Sequence, residues 1–170
     1  MDDRVRIVGS GVKPASEFMA HPENFRQHPE LQRAAVAESL ETLGWIAPVI
    51  ENVSSGYLLD GHERIWQAMQ HGDEMVPYVQ VELSDEEEAL ALLTFDAITE
   101  MAIPEPTHIQ ALINRAGDLA QGAIKAVMHS VKAKAESMAR VLGAMQHKGE
   151  DTGEEEDEYC PECGQKIRSR

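Results

Sequence analysis

The stretch that most constrains the fold is Tyr57-Leu58-Leu59-Asp60-Gly61-His62-Glu63-Arg64-Ile65-Trp66-Gln67-Ala68. Tyr57, Leu58 and Leu59 make a short buried strand, Gly61 supplies a sharp turn, and Ile65, Ala68 and Met69 recur at helical spacing. The segment is a strand, a tight turn and a helix N-terminus. The first turn of a helix carries unpaired backbone N–H groups at the positive end of its dipole, which suits an anion, and Arg64 adds a cation there. Two readings of the turn are open from the residues alone. It is a phosphate site, or it is an ordinary connection in which Arg64 pairs with a nearby carboxylate.

The chain on either side places this turn in an α/β unit. Residues 4–8 alternate charged and apolar as a half-buried strand does, and Gly9-Ser10-Gly11 is expected to end it. Residues 13–18 form a short helical turn begun by Pro14. The polar loop His21-Pro22-Glu23-Asn24-Phe25-Arg26-Gln27-His28-Pro29 follows, its prolines disfavouring helix at His21 and His28. Asn24 and Arg26 either reach a ligand or hydrogen-bond the loop's own backbone. Residues 29–43 read as a helix with Leu31, Ala34, Ala35, Leu40 and Leu43 on its buried side and Gly44 as its stop. Residues 48–53 and 57–59 form a hairpin around Ser54-Ser55-Gly56 that feeds the central turn, and residues 75–81 are another strand. Ser84 with Glu87 is a capping box that opens a helix reaching residue 102. Asp85, Glu86, Glu87 and Glu88 in its first turn suit the helix dipole, the alternative being a metal site.

At 170 residues and 42% hydrophobic content, the chain suits one domain plus an appendage. A formal net charge of −15 repels nucleic acid, so contact with it requires a local basic patch. No apolar run has the length of a membrane span, and Met1-Asp2-Asp3-Arg4 lacks the regions of a signal peptide, so a cytoplasmic location is expected.

Pro104-Glu105-Pro106 breaks the pattern and divides the chain into an α/β domain, residues 1–103, and a helical extension, residues 104–148. In the extension a first helix covers residues 107–116, Gly117 interrupts it, and a second covers 118–148. Ile124, Val131, Met138 and Met145 lie seven apart in the second, with Met128, Ala135 and Leu142 alongside. Such a stripe packs on its own domain or on a second copy as a homodimer. Residues 149–158 contain no apolar side chain and read as an acidic solvated linker. The tail, residues 159–170, carries Cys160-Pro161-Glu162-Cys163-Gly164. Two thiolates at this spacing supply half of a tetrahedral zinc site, the rest coming from a second chain, from His129 or His147, or not at all.

Four segments in order resemble one family. Asn24-Phe25-Arg26-Gln27-His28-Pro29 resembles its Asn-x-Arg-x-His-Pro motif, and Leu43-Gly44-Trp45-Ile46-Ala47-Pro48-Val49-Ile50 its helix-to-strand passage. Leu59-Asp60-Gly61-His62-Glu63-Arg64 resembles its Gly-x-x-Arg phosphate-binding turn, and residues 76–84 the strand leading into the last helix. Residues 5–102 are thus similar to the ParB N-terminal domain, or ParB-like nuclease domain, of the ParB/sulfiredoxin superfamily. The resemblance implies an α/β (α+β) fold: a small mixed sheet with helices, here followed by the long helical extension and the Cys-x-x-Cys tail. It also implies a nucleotide at the Gly-x-x-Arg turn, with partition proteins binding and hydrolysing CTP there and sulfiredoxins binding ATP.

His62 stands where a sulfiredoxin has its catalytic Cys, which excludes that reductase chemistry. In place of the partition proteins' Glu-Asn motif, which helps hold magnesium, stands Leu93-Thr94-Phe95-Asp96-Ala97, where Asp96 is the candidate cation ligand. No helix-turn-helix follows the domain. Chains of this shorter kind resemble those encoded by phages and mobile elements, which would place it in a host cell's cytoplasm. Two classes of function follow. In one, a nucleotide- or DNA-binding protein of DNA metabolism holds phosphate with Arg64, Gly61 and His62, and Asn24 and Arg26 close over it. Asp60, His62 or Glu63 then lies near the reacting group of a metal-dependent nuclease or NTPase. In the other, an inactive adaptor presents the long helix and the Cys pair to a partner.

Overall fold

A computed structural model describes residues 4–72 and 74–150, with side chains through residue 144. In chain order the elements are β1 (Ile7–Pro14), α1 (Glu30–Leu43), β2 (Val49–Asn52), β3 (Leu58–Asp60), α2 (His62–Gln70), β4 (Met75–Val81), α3 (Asp85–Glu100), α4 (Pro106–Ala116) and α5 (Gly122–Glu150). The strands form a four-stranded sheet in the order β1-β4-β2-β3. β1 runs antiparallel to β4, β4 parallel to β2, and β2 antiparallel to β3. The fold is the mixed α/β sheet with helices that the sequence implies.

The hydrophobic centre lies where α2 meets the sheet. Ala15, Phe18, Val49, Leu58, Ile65, Ala68 and Val76 are buried together, and Trp45 and Tyr78 pack against them. Fully burying a side chain such as Val49, Leu58 or Val76 contributes about 1.5–3 kcal/mol. Beside this cluster the buried Glu51 accepts from Lys13 Nζ at 2.7 Å and from Gln80 Nε2 at 3.0 Å, so its charge is paired. The capping box forms in full: Ser84 Oγ accepts from the Glu87 N–H, and Glu87 Oε2 accepts from the Ser84 N–H.

Three expectations need correction. β1 does not stop at Gly9-Ser10-Gly11 but runs through them to Pro14. These glycines act by absence of bulk, since a Cβ at Gly9 would stand 2.7 Å from Gln80 Oε1 and one at Gly11 2.9 Å from the Tyr78 hydroxyl. On α1, Leu31 and Leu43 are 51% and 50% exposed and Ala34 is exposed too. That helix packs on α2 and α5, away from the sheet, and Val36 and Leu40 face a cleft instead. The last helix begins at Gly122, after a short 3-10 turn over Gly117–Leu119, and Gly149 and Glu150, expected in the linker, belong to it.

α5 packs against α1 and α4 of its own chain, burying Ala135 completely while Val131 stays 44% exposed. Glu38 on α1 fixes its start, accepting from the Ala123 and Ile124 N–H groups at 2.9 Å each. The side chains of Met145 and His147, the segment 151–158, and Cys160 and Cys163 lie outside the described residues. Among the described residues no helix is long and apolar enough to cross a membrane.

Candidate phosphate-binding cleft

Gly61 caps α2 in the left-handed region, φ +98°, which an L side chain adopts at a cost. Space forbids a side chain as well, because a Cβ would stand 2.9 Å from Val49 Cβ and closer still to Val49 Cγ1. The turn therefore lies directly on the core strand β2. Gly61, having no side chain, makes no cap bond to the first-turn N–H groups of α2 at the positive end of the helix.

Arg64 lies over this turn. Its Nη1 donates to the Ala47 and Pro48 carbonyls at 2.7 and 3.2 Å, and Nη2 pairs with Asp60 Oδ2 at 2.9 Å. The Nε–H has no partner among the described residues. Of the two readings of the turn, the structure shows the pairing of Arg64 with a carboxylate.

The opposite wall comes from the loop before α1 and from α3. Asn24 Oδ1 accepts from the Arg26 N–H at 3.2 Å, so Asn24 closes its own loop. Arg26 instead crosses to α3, where Nη2 donates to the Leu92 carbonyl and Nε pairs with Asp96 Oδ2, both at 3.0 Å. The cation that Asp96 takes is a guanidinium. His62 Nε2 accepts from the His21 N–H at 3.2 Å, placing the proton of the neutral ring on Nδ1. Burial is the main force holding the His62 imidazole below its ordinary value; Asp60 opposes it, while His21, His28 and Arg26 lower it further. The balance favours the neutral form of the His62 imidazole.

These residues converge on one cleft of about 350 Å³. Asn24, Arg26, Asp60, Gly61, His62, Glu63, Arg64 and Asp96, drawn from separate stretches of the sequence, all line it. Glu63 contributes least to its chemistry, being buried and held by Gln67 Nε2 at 2.8 Å and by Arg33 at 3.6 Å. The remaining wall is His28, just before α1, with Gln32, Val36, Ser39 and Leu40 of α1, then Gly44, Trp45, Ile46 and Ala47, none of them an expected site residue. His28 was visible in the Asn-x-Arg-x-His-Pro motif, but nothing local to it gave it a task.

The residues do not fit a metal held by the protein alone. Asp60 and Asp96 are each paired with an arginine and Glu63 is turned inward. Among the described residues no three His, Cys, Asp or Glu side chains gather to hold an ion.

The ParB-like nuclease domain-containing protein YnaK of Escherichia coli is 30% identical to this chain over 88 residues, which span 51% of the chain and 97% of YnaK. The chain belongs to the ParB-like family. No family model matches it. Among solved structures, this ParB-like chain superposes on the C-terminally truncated chromosome-partitioning protein ParB from Caulobacter crescentus, complexed with CTP-γ-S, with a TM-score of 0.55 and 18% identity, over 86% of this chain and 88% of that one. A Pnob8-like ParB-N domain gives a TM-score of 0.43 at 16% identity, over 84% of this chain and 50% of that one.

Proposed function

We propose that the cleft of this ParB-like chain binds a nucleoside triphosphate, with the phosphates on the Gly61–Arg64 turn and the nucleoside along the α1 wall. The observation that carries the reading is the convergence of eight residues, nominated from scattered segments, on one cleft beside an uncapped helix N-terminus. An anion there would meet the first-turn N–H groups of α2, the Nε–H of Arg64, which has no partner among the described residues, and the His62 ring. Arg26 would add charge from the opposite wall. Val36, Leu40, Trp45 and Ile46 offer an apolar surface suited to a base. The Caulobacter ParB of similar fold was captured with CTP-γ-S, which supports a nucleotide as the ligand class.

A mononucleotide is favoured over DNA on electrostatic grounds. The cleft suits one small ligand, whereas a long nucleic acid would meet the field of a chain carrying −15. Magnesium would arrive with the phosphates as part of the ligand. Asp60 and His62 flank the turn as the groups available to a hydrolytic step, and Glu63 is committed elsewhere. Residues 1–103 form the ligand-binding unit in this reading, with residues 104–148 docked on it through α1.

Calorimetric titration with each of ATP, CTP, GTP and UTP in Mg²⁺, and with tripolyphosphate, tests the reading. We expect at least one triphosphate to bind, and tripolyphosphate to bind more weakly at the same site. A gel shift with DNA in the absence of nucleotide binding would favour the nucleic-acid alternative.

A further inference from the structure

Among the described residues one buried side-chain nitrogen or oxygen lacks a hydrogen-bond partner, and it is His28 Nε2. It belongs to a residue lining the cleft. The other ring nitrogen, Nδ1, lies 3.2 Å from Gln32 Oε1. With Gln32 Oε1 facing it as the acceptor, the neutral imidazole carries its proton on Nδ1 and leaves a lone pair on Nε2. The cleft thus contains a buried acceptor with nothing to accept from. Buried polar groups are rarely left so, and an exception in a ligand cleft points to a donor brought by the ligand.

The chemistry of that donor is restricted. Phosphate oxygens of a nucleotide are chiefly acceptors once ionised and bound to Mg²⁺, so the phosphates are poor partners for Nε2. Donors on a nucleotide are the N–H groups of the base and the hydroxyls of the sugar. The position of His28 agrees: it lies in the loop just before α1 and lines the same cleft as Gln32, Val36 and Leu40, the wall we assign to the nucleoside. We propose that His28 is a specificity-determining residue, whose Nε2 accepts a hydrogen bond from a donor on the nucleoside and so discriminates against nucleotides that lack it. This rests on the nucleotide reading of the cleft.

Titrations of the full chain and of His28→Ala with paired probes test it. CTP against UTP and ATP against ITP report a base amino group, and 2′-deoxy and 3′-deoxy triphosphates against their ribose parents report the sugar hydroxyls. In the wild-type chain we expect one of these pairs to differ by about tenfold, since a site built around a hydrogen bond rejects the analogue without it. In His28→Ala the ratio for that pair falls to about one, and tripolyphosphate binds as before. His28→Gln, which restores a carbonyl acceptor, recovers part of the ratio, a result that a purely structural role for His28 would not give.

The proposal is overturned if every pair keeps its wild-type ratio in His28→Ala, or if tripolyphosphate loses as much affinity as the nucleotides. Either result leaves the nucleotide reading standing. Failure of the wild-type chain to bind any nucleotide or tripolyphosphate would overturn that reading and this proposal together.

Discussion

Arg64 reaches back over the Gly61 turn to Asp60, Nη2 to Oδ2 at 2.9 Å, so the cation we assign to phosphate is held by a carboxylate. An incoming phosphate must share Arg64 with Asp60 or displace it. Asp60 thus acts as a placeholder that orients the guanidinium and also opposes the ligand's charge. Asp60→Asn is expected to tighten tripolyphosphate binding about two- to fivefold, in line with loss of one partly exposed charge interaction. Unchanged or weaker binding in calorimetry would show that Asp60 does not compete.

Gly61 is expected to tolerate no side chain. Gly61→Ala combines a φ of +98° with a Cβ driven against Val49, and each effect alone costs about 1–3 kcal/mol. Urea unfolding should show a loss of about 2–5 kcal/mol. A loss below about 1 kcal/mol would mean that the turn relaxes easily and does not rest rigidly on β2.

The His62 imidazole is held below its ordinary value in the folded chain, chiefly by burial. A group depressed on folding favours the folded state above its unfolded pKa, and that contribution is lost as the pH falls through the folded value. Stability should therefore decline as pH drops below about 6.5, the unperturbed value. A bound phosphate would favour the charged ring and raise the His62 pKa, so affinity should rise over the same window. Titration of the His62 ring resonances with and without tripolyphosphate checks both signs; a pKa that does not move with ligand would remove His62 from the site.

The Glu38 carboxyl is held below the usual carboxylate value by its bonds to the Ala123 and Ile124 N–H groups, backbone bonds that favour the charged form. Its contribution to docking α5 on α1 is present above the unfolded pKa and lost as pH falls through the lower folded value. Protection of the Ala123 and Ile124 amides from hydrogen exchange should then weaken in acid below about pH 4.5, and in Glu38→Gln at neutral pH. Gly122→Ala should have a similar effect, because a Cβ there would stand 2.8 Å from the Glu38 carboxyl carbon. Equal protection in all three cases would show that α5 is held by its apolar contacts alone.

What was legible in the sequence were features whose cause is local. The Gly61 turn, the Ser84–Glu87 capping box and the Gly44 stop of α1 each follow from residues within a few positions of one another. What escaped depends on partners far along the chain. Gly9 and Gly11 read as a strand end because the side chains that require them, Gln80 and Tyr78, belong to β4. Arg26 read as a loop residue or a ligand contact, and its pairing with Asp96, seventy positions on, leaves no trace in either segment. The Leu31 face of α1 read as its buried side because periodicity shows that a helix is amphipathic without showing what it packs on. His28 needed the whole cleft around it before its unpaired nitrogen meant anything.

The central claim is that the Gly61–Arg64 turn holds a ligand's phosphates, and titration of tripolyphosphate and nucleoside triphosphates into the wild-type chain and Arg64→Ala tests it most directly. Loss of a charge-assisted contact should weaken binding by about tenfold or more. Thermal melting should change by only a few degrees, because Arg64 gives up hydrogen bonds to Ala47, Pro48 and Asp60 but no core packing. The contrary result is an Arg64→Ala chain that binds as the wild type does, or one that unfolds while the wild type shows no phosphate ligand. Either would make Arg64 a structural brace.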